Sequence, residues 1–308
     1  MDEWTVTTTF RAELGEGLHW DAAHGVLWFV DILGRRVMRW RPDEPAWDEW
    51  PTPQRVGWVL PVEGSDWLLA GLQGGAALLH LQGSKLKWRW WAPMFEAQPA
   101  LRLNDAKADA TGSVWAGSLN HQDQTRADGA LFRIDGRGVV TQVDSGYLVA
   151  NGPAIRPDGR LMLHTDSGRR VIHAFDLDAA AGRLSGKRVW RVFAEEEGYP
   201  DGMTFDAEGA VWVAHWGAGC VSRFAPDGTL LRRVALPAAH VTNVCFAGAA
   251  LDRLFVTTAT AGRTAEQLAA EPLAGGLFEI DTRGVRGLAG LPYRPADLEP
   301  TGGAWHEG

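Results

Sequence analysis

The sequence predicts an all-β chain folded as a six-bladed β-propeller, with four-stranded blades around a central channel. Three observations carry this. A phrase made of Gly or Asp (Ser in one copy) followed by a short strand rich in Val, Leu and Trp recurs six times, beginning at Gly25, Ser65, Gly112, Gly159, Gly209 and Asp252. The interval is roughly 40–50 residues, the period of a propeller blade. Helical periodicity is almost absent, the stretch Thr264–Ala270 being the exception.

Each element follows from its pattern. The run Val26–Val30 is nearly all apolar, as expected of a strand covered on both faces. Arg35–Trp40 alternates apolar with charged residues, which suits a strand nearer the rim. Turn residues punctuate the copies, as in Pro157-Asp158-Gly159, Asp206–Gly209 and Pro226-Asp227-Gly228. Six copies imply one domain over residues 1–308, with about 295–308 as a loose tail. A propeller must also close. Thr5–Phe10 is expected to pair beside Gly276–Asp281, which removes an exposed sheet edge.

Composition narrows the function. With 45% hydrophobic and 22% charged residues the chain reads as globular. A net charge of −8 argues against nucleic acid as a partner, because phosphate binding needs a basic face. The 16 Trp suit packing and also walls that stack on sugar rings. Cys220 and Cys245 are the only cysteines and read as two free thiols. No run of 18 apolar residues occurs, and the opening MDEWTVTTTFRAEL has neither a basic nor an apolar leader segment. A monomer in the cytoplasm, with no membrane partner, is expected. No GxSxG elbow, Walker loop, GxGxxG unit or HExxH pair is present, so serine-nucleophile, P-loop, dinucleotide and zinc-protease chemistries lack a carrier.

The polar residues share one phase of the repeat. Glu16, Asn104, Asn151, Asp201 and Asn243 each lie eight or nine residues before the start of a copy. In a propeller, equal phase means equal radius and height, so these side chains should converge. Gly57-Trp58 interrupts the pattern in the second copy. Glu16, Asn151 and Asp201 are each followed by glycine, which permits sharp turns and close approach. Gathered carboxylates repel unless a cation lies between them. Oxygen donors suit hard divalent ions, and three protein ligands leave positions for water and substrate. The competing reading is that Asn and Asp here only form turns. Arg102, two residues before Asn104, should face the same way and bind an anion or carbonyl, or else form a surface ion pair. His121 follows Gly117–Asn120 at a height where substrate would be reached; His215 lines the cavity or fills a core hydrogen bond.

Four motifs in order resemble the SMP-30/gluconolactonase/regucalcin-like sugar lactonases over nearly the whole chain. They are Leu14-Gly15-Glu16-Gly17, Arg102-Leu103-Asn104-Asp105, Asn151-Gly152-Pro153, and Tyr199-Pro200-Asp201-Gly202-Met203 followed by Asp206–Val213. Ala214-His215-Trp216-Gly217 and Leu273–Gly276 look more like the bacterial aldonolactonases of that family. The resemblance implies one divalent metal ion on Glu16, Asn151 and Asp201, with Ca, Mg, Mn, Zn or Fe(II) all open. It implies Asp201 as general base and Arg102 and Asn104 as substrate contacts, with His121 a further candidate. Some members carry an acidic contact where this chain has Asn120-His121-Gln122-Asp123, and Ala106 stands where glycine is common. The implied reaction is hydrolysis of a sugar lactone such as glucono-, xylono-, arabinono- or galactonolactone. A non-catalytic metal-binding propeller, or a related metal-dependent esterase or phosphotriesterase, would use the same residues.

Overall fold

A computed structural model describes residues 3–297 and 304–307. Among these residues the strands form six antiparallel sheets. Five blades run outward from the axis in chain order, and the sixth does so for its first three strands. The innermost strands are Gly15–Asp21, Val56–Pro61, Leu101–Ala108, Ala150–Ile155, Tyr199–Phe205 and Val241–Ala247, and each neighbours the next around a ring. The second strands are nearly all buried, Val26–Asp31 and Val211–Trp216 among them, because sheets cover them on both faces. The fourth strands face solvent; Arg183–Val192 is mostly exposed.

The repeated phrase has a physical basis in an Asp–Trp pair. In blades 1, 3 and 5 Asp21, Asp109 or Asp206 stands at the end of the inner strand or just past it, and an indole on the second strand donates back to that carboxylate. Trp115 Nε1 reaches Asp109 Oδ2 at 2.7 Å, Trp212 reaches Asp206 at 2.9 Å, and Trp28 reaches Asp21 at 3.5 Å. The other carboxylate oxygen accepts backbone N–H groups of the intervening turn, as Asp206 Oδ1 does from Glu208 and Ala210 at 3.0 Å. One side chain thus closes a hairpin and satisfies a buried indole.

The ring closes as expected. Trp4–Val6 forms the outer strand of blade 6, with Trp4 opposite Ile280 and Val6 opposite Phe278. The short helix is Ala265–Ala270, capped by Thr264, whose hydroxyl accepts from Gln267 N. Of the loose tail expected over about 295–308, residues 298–303 and 308 lie outside the described residues. His306 and Glu307 pair with Trp88 and Lys87 as a fifth strand on blade 2, and Arg89 lies over the Trp305 ring at 4.6 Å. That strand, Lys85–Pro93, is long and rich in tryptophan, and the added segment covers an edge otherwise open to solvent.

All six inner strands carry a register shift at the same level. One extra residue enters between Glu16 and His19, Val56 and Trp58, Leu103 and Ala106, Asn151 and Ala154, Pro200 and Met203, and Val241 and Asn243. A bulge bends its strand and re-aims side chains. Here six of them encircle one point on the axis.

Candidate metal and substrate site

The bulges bring together the side chains that share a phase. Glu16, Asn104, Asn151, Asp201 and Asn243 are all buried, each at 6% exposure or less. Close approach is possible because two positions carry no side chain. A Cβ on Gly57 would lie 2.2 Å from the Asn104 carbonyl oxygen, and one on Gly202 would lie 2.5 Å from Asn243 Nδ2. Gly57 therefore explains why blade 2 contributes no oxygen. Its blank position makes room for blade 3.

Hydrogen bonds tie most of the group into two chains, one through Asn243 and one from Arg102 to Ser167. Asn243 Nδ2 donates to Glu16 Oε2 at 2.9 Å and to Asp105 Oδ2 at 3.2 Å. Asn104 Nδ2 donates to Asn151 Oδ1 at 2.7 Å and to the Ala150 carbonyl at 2.8 Å. Arg102 Nη1 donates to Asn104 Oδ1 at 2.7 Å and to the Leu103 carbonyl at 3.0 Å. Asn151 Nδ2 donates to Ser167 Oγ at 3.0 Å, and Ser167 donates to the Pro200 carbonyl at 2.6 Å. Asp201 Oδ1 and Asn243 Oδ1 are buried with no hydrogen-bond partner among the described residues.

The electrostatics are unfavourable for the protein alone. Burial, and then repulsion from Asp105, pushes the Glu16 carboxyl up from 4.5 to about 8. Asp201 is raised well above the usual carboxylate range by burial and by Glu16 and Asp105, and Asp105 is raised chiefly by burial. Arg102 is brought down to about 10 by burial, against the pull of Glu16. Three acids packed at this depth with one guanidinium nearby favour protons or a bound cation. Among the described residues no three His, Cys, Asp or Glu side chains form a metal-ligating group. The candidate set instead mixes two carboxylates with a carboxamide. The orphaned Asp201 oxygen and the raised acids fit a hard divalent ion.

A cavity of about 540 Å³ opens over this cluster. Glu16, Arg102, Asn104, Asn151 and Asp201 form its floor and wall, joined by Ser167, Tyr199 and Trp216 and by Gln124 and Thr125. Trp216 is stacked on His240 with ring centroids 3.8 Å apart, which holds the indole as a flat wall. A larger groove of about 1140 Å³ on blade 3 contains none of the five clustered residues. His121 does not line the cavity. Its ring nitrogens meet Arg55 Nη1 and the Pro99 carbonyl, both at 3.1 Å. His215 is fully buried against Phe193 and Phe224, with Nδ1 on the Glu197 carbonyl at 2.8 Å. It serves the core.

Phase counting along the sequence misses several residues of the cluster and its wall. Asp105 follows Asn104 directly and by alternation should face away, but the bulge turns it into the network. Ser167 sits in a turn after the second strand of blade 4, and Tyr199 and Trp216 come from strand ends. Phase counting does not reach these places.

Residues 14–260 match the family model described as SMP-30/Gluconolactonase/LRE-like region. Regucalcin of Danio rerio is 33% identical over 286 residues, covering 92% of this chain and 95% of that protein. Pentonolactonase XacC of Haloferax volcanii is 34% identical, covering 87% and 90% respectively. A crystal structure of a calcium-binding protein, regucalcin, from Agrobacterium tumefaciens superposes with a TM-score of 0.88 at 26% identity, covering 94% of this chain and 96% of that one. With its six blades, its clustered polar motifs and a family match spanning most of its length, this chain belongs to the SMP-30/gluconolactonase/LRE-like family.

Proposed function

We propose that this chain hydrolyses a sugar lactone to the aldonic acid, using one divalent cation held by Glu16, Asn151 and Asp201. The observation that carries the reading is Asp201. It lines the cavity, its Oδ1 has no partner, and a guanidinium belongs to the same wall. The pentonolactonase relative supports a lactone substrate, and the calcium-binding structural neighbour supports a divalent ion.

When bound, the cation would polarise the lactone carbonyl and stabilise negative charge on its oxygen. The chain's own residues do the rest. Asp201 takes a proton from the attacking water, whose oxygen bonds to the carbonyl carbon. The acyl–oxygen bond of the ring then breaks, and the proton passes from Asp201 to the departing ring oxygen. Arg102 spends Nη1 on Asn104 and Leu103, so its other nitrogens remain to hold substrate oxygens. Trp216 offers an apolar face to a sugar ring, and the Gln124 amide and Thr125 hydroxyl offer hydrogen bonds to sugar hydroxyls at the wall.

The test is a panel of gluconolactone, xylonolactone, arabinonolactone and galactonolactone, followed by pH-stat with subtraction of spontaneous hydrolysis. Chelator-stripped protein is compared with protein reloaded with Ca²⁺, Mg²⁺, Mn²⁺, Zn²⁺ or Fe²⁺. Turnover restored by a cation is expected. No turnover above background with any ion, or turnover only of a phosphotriester or aryl ester, would overturn the lactonase reading.

A further inference from the structure

Hydrogen-bond direction through the site is dictated from both ends. A guanidinium can only donate, and a backbone carbonyl can only accept. Arg102 Nη1 donates to Asn104 Oδ1, which forces Asn104 Nδ2 toward Asn151 Oδ1 and the Ala150 carbonyl. Asn151 Nδ2 must then face Ser167 Oγ, and the Ser167 proton is sent to the Pro200 carbonyl. Flipping Asn151 would set its Nδ2 against Asn104 Nδ2, donor against donor. The relay therefore has one orientation. In it the Asn151 oxygen points away from Ser167, with a second lone pair free for a cation.

We infer that Ser167 is a positioning residue for two of the three proposed metal ligands. Its hydroxyl accepts from Asn151 and so holds that carboxamide with oxygen toward the network. The same hydroxyl donates to the Pro200 carbonyl, which belongs to the peptide leading into Asp201. Asn151 lies on the inner strand of blade 4 and Pro200 on that of blade 5, so one oxygen clamps adjacent blades at the channel mouth. The backbone of Ser167 is held independently. Its N–H donates to the Val149 carbonyl at 2.9 Å, and its carbonyl accepts from Arg170 N at 2.9 Å. Removing the hydroxyl should therefore leave the turn in place and release only the two ligands.

This rests on the proposed metal-dependent reading, and the measurements separate the two. Chelator-stripped wild type, Ser167→Ala and Ser167→Thr are titrated with Mn²⁺ by calorimetry, and the melting temperature of each metal-free protein is recorded. Loss of an outer-shell partner of a metal ligand typically lowers affinity about 10–100-fold. That range is expected for Ser167→Ala, with a metal-free melting temperature close to wild type and with affinity largely restored in Ser167→Thr. At saturating Mn²⁺ most of the kcat lost in Ser167→Ala should return. Nitrogen-15 NMR of the metal-free protein supplies a readout free of metal and substrate: the Asn151 side-chain NH₂ signals should shift or broaden in Ser167→Ala. Wild type that binds Mn²⁺ but turns over no lactone would sink the lactonase reading and leave the inference standing. Equal Mn²⁺ affinity in wild type and Ser167→Ala, or unchanged Asn151 signals, would overturn the inference. So would a matching loss in Ser167→Thr with a lowered metal-free melting temperature, because packing rather than the hydroxyl would then be the cause.

Discussion

Replacing Glu16 by Gln should change stability in opposite directions with and without metal. In the metal-free protein the Glu16 carboxyl titrates near 8 instead of 4.5, because burial and Asp105 oppose its charge. Between those values the unfolded chain has lost a proton that the folded chain keeps. Stability therefore falls as pH rises through this window. At about 1.4 kcal/mol per pH unit, the ionisation cost at pH 8 is on the order of 4 kcal/mol, and it is close to zero at pH 4.5. Gln has the shape of the protonated acid and can still accept from Asn243. The metal-free variant should thus match wild type near pH 4.5 and exceed it by several kcal/mol at pH 8. Saturating divalent cation should reverse the order, since the variant has lost one of two ligand charges. The assay is urea denaturation of chelator-washed protein at pH 5 and pH 8, repeated with added Ca²⁺ or Mn²⁺. A metal-free variant less stable than wild type at pH 8 would refute the claim that these acids are held together against their own repulsion. An order of stability that cation does not reverse would refute Glu16 as a ligand.

Three further outcomes follow from particular contacts. Asp201→Asn keeps an oxygen for coordination but loses the proton acceptor, so kcat should fall roughly 10²–10⁴-fold while metal stays bound, checked by elemental analysis beside steady-state rates. Arg102→Ala removes the guanidinium from the cavity wall and one end of the relay through Asn104, so kcat/KM should fall and stay low at saturating metal, with about one ion bound per chain, which the same pair of measurements reads. Asp206→Ala strands the buried Trp212 indole and leaves Arg223 with Glu208 alone, so stability should drop by about 1–3 kcal/mol in urea denaturation with lactone kinetics unaffected in the folded fraction.

The fold was legible because propeller physics writes itself into the chain at blade spacing. Each hairpin needs a turn residue before a doubly covered strand, and Gly112, Gly159 and Gly209 supply it with positive φ. The Asp109–Trp115 and Asp206–Trp212 pairs repeat because each closes the same hairpin. Closure was legible too, since Trp4–Val6 offers a strand and Leu277–Ile280 would otherwise present an edge. The end of the chain was not, because a two-residue strand held by Trp305 and His306 against blade 2 has no pattern long enough to count.

The site was legible to the same depth as its symmetry. Glu16, Asn104, Asn151, Asp201 and Asn243 sit at matching positions of a repeat, and side chains at one radius must meet. What breaks the repeat was hidden. In blades 1, 4 and 5 the residue after the clustered side chain is glycine, which lets the bulge form with nothing pointing inward; in blade 3 that place holds Asp105. Strict alternation sends Asp105 outward, but one inserted residue cancels the alternation and adds a third carboxyl to the cluster. His121 lies off the cavity for a related reason. The loop after Asn120 turns, so Gln124 and Thr125 reach the cavity wall while His121 is taken up by Arg55 and Pro99. Phase along a strand fixes radius and height only as far as the strand continues. Beyond its end, at Ser167 as at His121, direction comes from the hydrogen bonds of the turn, and those belong to residues distant in the chain.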